Sequence, residues 1–256
     1  MSTYVYGIAA ASHPALPKDV AGVGDPPRPV RILKEGELAA IVSDTPEGLR
    51  PKRRDLLAHQ NVLSEAGAGG PVLPMRFDSI ALDDDAVVQV LHERTEHYLE
   101  RLTALEGRVE YNVKASHDQE AVLQRVVMEN PELRALVEAG RKADGGDYQN
   151  RLRLGEMVAA AVQSREEEDA AELQSVLEPA AEAVSTGPES TGWLANLSFL
   201  VPQDSAEEFL AAVERVPRKH PHLNVRVNGP LPPYSFVEPG PAGPAASATD
   251  TATDEE

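Results

Sequence analysis

Seven histidines and no cysteine bound the chemistry open to this chain. Without thiols there is no disulfide, no thiolate nucleophile and no cysteine-held metal. His220 and His222 flank Pro221, and in an extended segment both rings can point the same way. A zinc-type site needs a third ligand, and none is evident near them, so the pair reads as a polar loop. His92 and His97 stand five apart on a helical stretch, which places them on different faces. His59 lies between Leu56 and Leu63 on an apolar helix face. No nucleophile accompanies it, so it reads as a core histidine with a hydrogen-bond partner rather than a general base. Asp83-Asp84-Asp85 is a magnesium candidate by type. Its place just before a helical period favours a helix start instead, where acids face the positive end of the dipole and cap free N–H groups. Glu166-Glu167-Glu168-Asp169 reads as a solvated helix face, with a docking surface as the alternative. Arg76 falls in an apolar strand and needs a carboxylate there; Glu110 is the candidate, in an ion pair joining two units.

No catalytic constellation accompanies these residues. Gly22-Val23-Gly24 runs into Asp25-Pro26-Pro27 and not into a helix, so it is no dinucleotide fingerprint. Neither a Walker A sequence nor a Gly-x-Ser-x-Gly elbow is present. The expectation is a protein that is not an enzyme and holds no cofactor or metal. The formal charge of −18 argues against nucleic acid and against anionic lipid as partners. No run of about 20 apolar residues exists to span a membrane, and the N-terminus lacks the pattern of a signal peptide. Together with the missing cysteines, this places the chain in the cytoplasm.

The elements that would position these residues follow from periodicity. Tyr4 to Ile8 is a short strand, and Val30 to Leu33 with Leu38 to Ser43 reads as a hairpin. Arg50 to Ala66 is helical, Val72 to Phe77 is a strand, and one long helix follows Asp83 through Leu105. A second unit opens near Gly107 with the alternation Val109, Tyr111, Val113. Residues 118–138 are helical with Pro131 at a first turn, and Tyr148 to Val184 is a long helix that Pro179 can kink. Trp193 to Val201 is a strand with Trp193 in the inward alternation, Ala206 to Val216 a helix and His222 to Asn228 the last strand. The expected fold is α+β in two domains. Residues 1–106 form a small α+β domain, and residues 107–237 form a ferredoxin-like sandwich with extra helices. Residues 238–256 have almost nothing to bury and read as a disordered acidic tail.

The last strand runs into Gly229-Pro230-Leu231-Pro232-Pro233-Tyr234-Ser235-Phe236. Proline cannot donate to a ladder and fixes φ, so the strand should end in a stiff segment. Three readings are open. Tyr234 and Phe236 pack onto their own domain, or Pro230, Leu231, Pro232, Pro233, Tyr234 and Phe236 form a partner-facing platform, or Pro230 and Pro233 mark a ligand for an SH3-type domain. This motif resembles the C-terminal signature of the gas vesicle protein F/L family. Three other stretches agree in order and spacing: Tyr4-Val5-Tyr6-Gly7-Ile8, Val72-Leu73-Pro74-Met75-Arg76-Phe77, and Gly192-Trp193-Leu194-Ala195-Asn196 continuing to Val201. Two departures are visible: Leu231 stands where the family usually has tryptophan, and Asp78-Ser79 where it has Gly-Thr. His59, Arg76, Phe77, Glu110, Trp193 and Asn196 are read as structural positions. The resemblance implies an accessory protein, either a minor component or an assembly factor of the gas vesicle inside the cytoplasm. Its partners would be the very hydrophobic main shell protein and other accessory vesicle proteins. A scaffold that binds only those other accessory proteins is the alternative, and an enzyme of unknown chemistry is disfavoured.

Overall fold

The computed structural model describes residues 2–17, 19–142, 148–188 and 191–238. The expected acidic tail beyond Glu238 lies outside the described residues. The first half contains β1 (Thr3–Ala10), β2 (Arg31–Glu35), β3 (Leu38–Asp44), α1 (Arg53–Gly69), β4 (Val72–Pro74), β5 (Ile80–Ala81), α2 (Asp84–Glu93) and α3 (Thr95–Leu105). Its sheet runs β2-β3-β1-β4, with β5 also on β1, and every pairing is antiparallel. Both faces are covered. Val62, Leu63 and Ala66 of α1 pack with Tyr4, Tyr6 and Ile41, while Val87, Leu91, Tyr98 and Leu102 of α2 and α3 pack with Ile8, Leu38 and Val42. Double coverage explains why β3 is an almost unbroken apolar run and not an alternating one. Gly7 sits where β1 meets β4 most closely: a Cβ there would lie 2.8 Å from Val72 Cγ1 and 2.9 Å from the Leu73 carbonyl oxygen.

The second half contains β6 (Arg108–His117), α4 (Gln119–Glu129), α5 (Pro131–Lys142), α6 (Tyr148–Leu177), β7 (Ala183–Thr186), β8 (Ala195–Pro202), α7 (Ala206–Lys219) and β9 (Leu223–Leu231), then a 3-10 turn at Tyr234–Phe236. The antiparallel order β7-β8-β6-β9 is that of a ferredoxin-like sheet, with α4, α5 and α6 together filling the first helical connection. Leu173 and Leu177 of α6 and Phe209, Val213 and Val216 of α7 cover one face, against Tyr111, Val113, Leu197, Phe199 and Leu223. The other face is only partly covered.

The mixed α+β class stands, and several boundaries differ from expectation. The long helix after Asp83 is two helices, because Arg94 leaves helical geometry at φ −115° and ψ 22°. The strand at Val72 stops at Pro74, so Arg76 is outside it. The long helix ends at Leu177, and Ala183 and Val184, expected at its end, open the edge strand β7. Pro179 lies in the 3-10 turn between them and ends the helix where a kink was expected. Phe236 and Val237, placed by sequence in the second unit, pack in the first unit's core with Leu91, Tyr98 and Leu200.

Candidate functional site

The last strand and its proline-rich end form the centre of interest. Alternation along β9 turns Leu223 and Val225 toward the helices. Among the described residues the strand pairs only with β6 and leaves its outer edge unpaired, and residues 226–230 are exposed. Gly229 crosses β6 at a distance no side chain permits: a Cβ would lie 2.4 Å from Tyr111 Cδ1. The chain then turns back at once. The backbone N–H and the hydroxyl of Ser235 both donate to Glu110, at 2.8 Å each, and Arg101 donates to the Phe236 carbonyl at 2.7 Å. Phe236 is 7% exposed. The Tyr234 ring stacks on His59 with centroids 6.5 Å apart. Burial, reinforced by the charge of Glu110, pushes the Tyr234 phenol up to about 12.

A platform displaying Tyr234 and Phe236 is therefore not what this segment builds: Glu110 draws the turn inward and both rings face the chain's own first half. Pro233 is buried with them. Pro230, Leu231 and Pro232 stay partly open and line a cavity of about 570 Å³ with Leu63, Gly70 and Leu105. The expected Arg76–Glu110 ion pair does not form. Arg76 is exposed beyond the end of β4 and enters no ion pair among the described residues, while Ser235 occupies Glu110.

His59 is buried at 3% exposure beneath this turn. Its Nε2–H donates to the Met75 carbonyl at 3.1 Å, which leaves Nδ1 to accept from the Tyr4 hydroxyl at 2.9 Å. Burial holds its pKa below the ordinary value, partly offset by the Met75 carbonyl. Phe77 packs edge-on against His59 and Tyr4, with centroids 5.9 Å away in each case. Asp83 caps α2 by accepting from the Ala86 N–H at 2.8 Å, and Asp84 accepts from Thr3 and Arg31. The three-acid run is thereby absorbed at a helix start and a sheet edge.

A second polar cluster was not anticipated. His220 and His222 do find companions: His117 Nε2 and His222 Nε2 both lie 2.8 Å from Asp169 Oδ2, and Glu172 Oε1 is 3.3 Å from His220 Nε2. Asp169 is fully buried, so the solvated face read from the Glu166–Asp169 run ends at Glu168. Arg165 clamps the other carboxylate oxygen at 2.5 Å. Arg125 donates to His222 Nδ1 at 3.1 Å. Arginine only donates, so His222 carries its proton on Nε2 and gives it to Asp169. A metal on Nε2 would move that proton to Nδ1, against the Arg125 N–H. The cluster is thus a hydrogen-bonded tie between α6 and the ends of β6 and β9. Burial pushes Asp169 up, but hydrogen bonds from Arg165, His117 and His222 outweigh it and leave its pKa at about 2. Both missed members had a signal. The inward alternation from Val109 through Ala115 continues to His117, and Asp169 shares a helix stripe with Leu173 and Leu177.

Trp193 precedes β8 and faces away from the helical core, unlike its expected alternation. Lys114 Nζ lies 5.7 Å and the Arg226 guanidinium 5.4 Å from its ring centroid. Asn196 accepts from Asn112 at 3.0 Å and donates to the Pro188 carbonyl at 3.1 Å. Both border a cavity of about 880 Å³ whose opposite wall is α6, with Glu166 and Glu167.

Comparison with known proteins matches residues 2–238 to the family model described as gas vesicle synthesis protein GvpL/GvpF. The chain is 66% identical over 238 residues to gas vesicle protein F of Streptomyces sp. (strain CB03234), covering 93% of this chain and 100% of that protein. It is 25% identical over 243 residues to gas vesicle protein F of Dolichospermum flosaquae, covering 92% and 97%. Among solved structures, GvpF from Microcystis aeruginosa shares the fold with a TM-score of 0.70 at 23% identity, covering 93% of this chain and 99% of that one. GvpF from Anabaena sp. PCC7120 does so with a TM-score of 0.72 at 24% identity, covering 93% and 96%.

Proposed function

The chain belongs to the GvpL/GvpF family of gas vesicle synthesis proteins, and we propose that it binds the hydrophobic main shell protein while the vesicle is built. An accessory role in gas vesicles follows from the family itself. Capture of the shell subunit is the finer reading, and the unpaired outer edge of β9 carries it. Among the described residues that edge has no partner strand, and it presents a row of backbone donors and acceptors beside Val227, which is 42% exposed. A subunit with an apolar strand of its own adds to such an edge by main-chain hydrogen bonds, and covering the strand blocks uncontrolled self-association. Pro230 ends the edge and limits how far pairing runs. The acidic surface keeps the complex dispersed. In this reading the protein acts by binding and not by catalysis, in the cytoplasm, as a minor component or assembly factor.

The test is co-expression with the main shell protein and pull-down, wild type against Val227→Lys, with melting curves for both. A lysine on a strand edge opposes pairing, and although Val227 shares the face of Val225, its 42% exposure lets the longer side chain reach solvent. The expected result is capture by the wild type and about tenfold less by the variant, at unchanged melting temperature. Wild type that captures other accessory vesicle proteins but no shell subunit would replace this reading with the scaffold. Capture that survives the substitution would move the contact to the cavity at Pro230–Pro232.

A further inference from the structure

We propose that the open face of the second sheet recognises an acidic segment of a partner polypeptide, seated on Lys114, Arg226 and the ring of Trp193. Residues Val113, Ala115 and Val225 turn to the helical core, so Lys114 and Arg226 point to the opposite face. Near Glu110 that face is covered by the turn that carries Phe236. Farther along it is open: Arg226 and Asn228 are exposed, and Lys114, Asn112 and Trp193 are half-buried.

The register places Lys114 directly opposite Arg226. Like charges in that position destabilise a sheet. Elsewhere on this protein such a cost is easily relieved, because the chain has 42 acidic residues against 24 basic ones. Here it is not relieved. Neither cation enters an ion pair among the described residues, and what they share is the Trp193 ring. The neighbouring positions are amides: Asn196 flanks Lys114 on β8, and Asn112 lies opposite Asn228. The hydrogen bond from Asn112 to Asn196 fixes this floor. Two adjacent cations, amide donors and one indole face suit a pair of carboxylates whose aliphatic stems lie on the ring. The net charge of −18 repels an acidic partner from the rest of the surface, so the patch is selective as well as attractive. The carboxylates of Glu166 and Glu167 across the adjoining cavity bound it on the α6 side. An open sheet with cations and an aromatic ring also suits single-stranded RNA, but one ring in a strongly negative field favours the peptide.

Trp193 is the single tryptophan of the chain, so its emission reports this surface directly. The full-length protein is titrated with a short peptide of alternating glutamate and serine, with oligolysine and with oligouridylate. A saturable emission change with the acidic peptide alone is expected. Lys114→Glu with Arg226→Glu should weaken it at least about tenfold. Arg226→Ala, at an exposed position, provides a second variant whose fold is kept, and a melting curve checks both. No emission change with the acidic peptide, an equal response in both variants, or a response to oligouridylate in its place would each overturn the assignment. The surface shares Arg226 with β9 but uses the open sheet face and not the backbone edge of that strand, so a failed shell-protein pull-down beside an intact Trp193 response removes only the strand-addition reading.

Discussion

Glu110 accepts two hydrogen bonds from one residue, Ser235, and in doing so decides where two aromatic rings go. Glu110→Gln keeps the shape and loses the charge, and should cost about 1.5–3 kcal/mol in urea unfolding. Phe236→Ala should cost about 3–5 kcal/mol, because the ring is buried in the core shared by both halves. Arg76→Ala, at an exposed position without an ion pair among the described residues, should change stability by less than about 0.5 kcal/mol. The contrast tests the placement of the turn: a large loss at Arg76 with little at Phe236 would reverse it. Asp169→Ala leaves the buried rings of His117 and His222 without their acceptor and Arg165 with only the more exposed carboxylates of Glu168, Glu129 and Glu172, and about 3–5 kcal/mol should be lost in the same measurement.

Elements were legible where one periodicity ruled. The alternation of β6, β8 and β9 and the helical period of α1 and α7 could be read directly, because each buries one face against one neighbour. Reading failed where two constraints met. Arg76 looked like a strand residue because Val72 to Phe77 is apolar throughout, yet Pro74 closes the ladder and Met75 serves His59 through its carbonyl. β7 was hidden because Ala183 and Val184 suit a helix as well as a strand, and only the pairing with Phe199 and Leu200 decides. Of the candidate site, the motif was visible but its direction was not. No local rule says that Ser235 reaches back to Glu110 across 125 positions of sequence. The close crossing of β9 over β6 gives a test at this scale. Gly229→Ala should destabilise by about 1–3 kcal/mol through overlap with Tyr111, measured by chemical unfolding, whereas Gly155→Ala, with open space around its Cβ, should not.

At the scale of the whole molecule, acid should act through buried histidines before it acts through carboxylates. Burial holds His59 and His222 below the ordinary value of 6.5, with Asp169 partly restoring His222. Below that value the unfolded chain takes up protons that the folded chain refuses, so stability falls as pH drops through about 6.5. Asp169, at about 2 in place of 3.8, contributes about 2 kcal/mol of stability that is present above pH 3.8 and lost as pH falls toward 2. Melting curves between pH 7.5 and pH 4 should therefore show a decline beginning near pH 6.5, and a flat profile down to pH 4 would contradict the protonation states assigned to both histidines. The same long-range closure that buries Phe236 and Val237 in the core of the first sheet also sets an order of events during synthesis. A ribosome delivers β1 to α3 long before it makes the two side chains that seal them, so the first half waits with a gap in its core while the second half is translated. The surface with β9 laid down and its turn locked by Glu110 therefore forms only after both halves have been made.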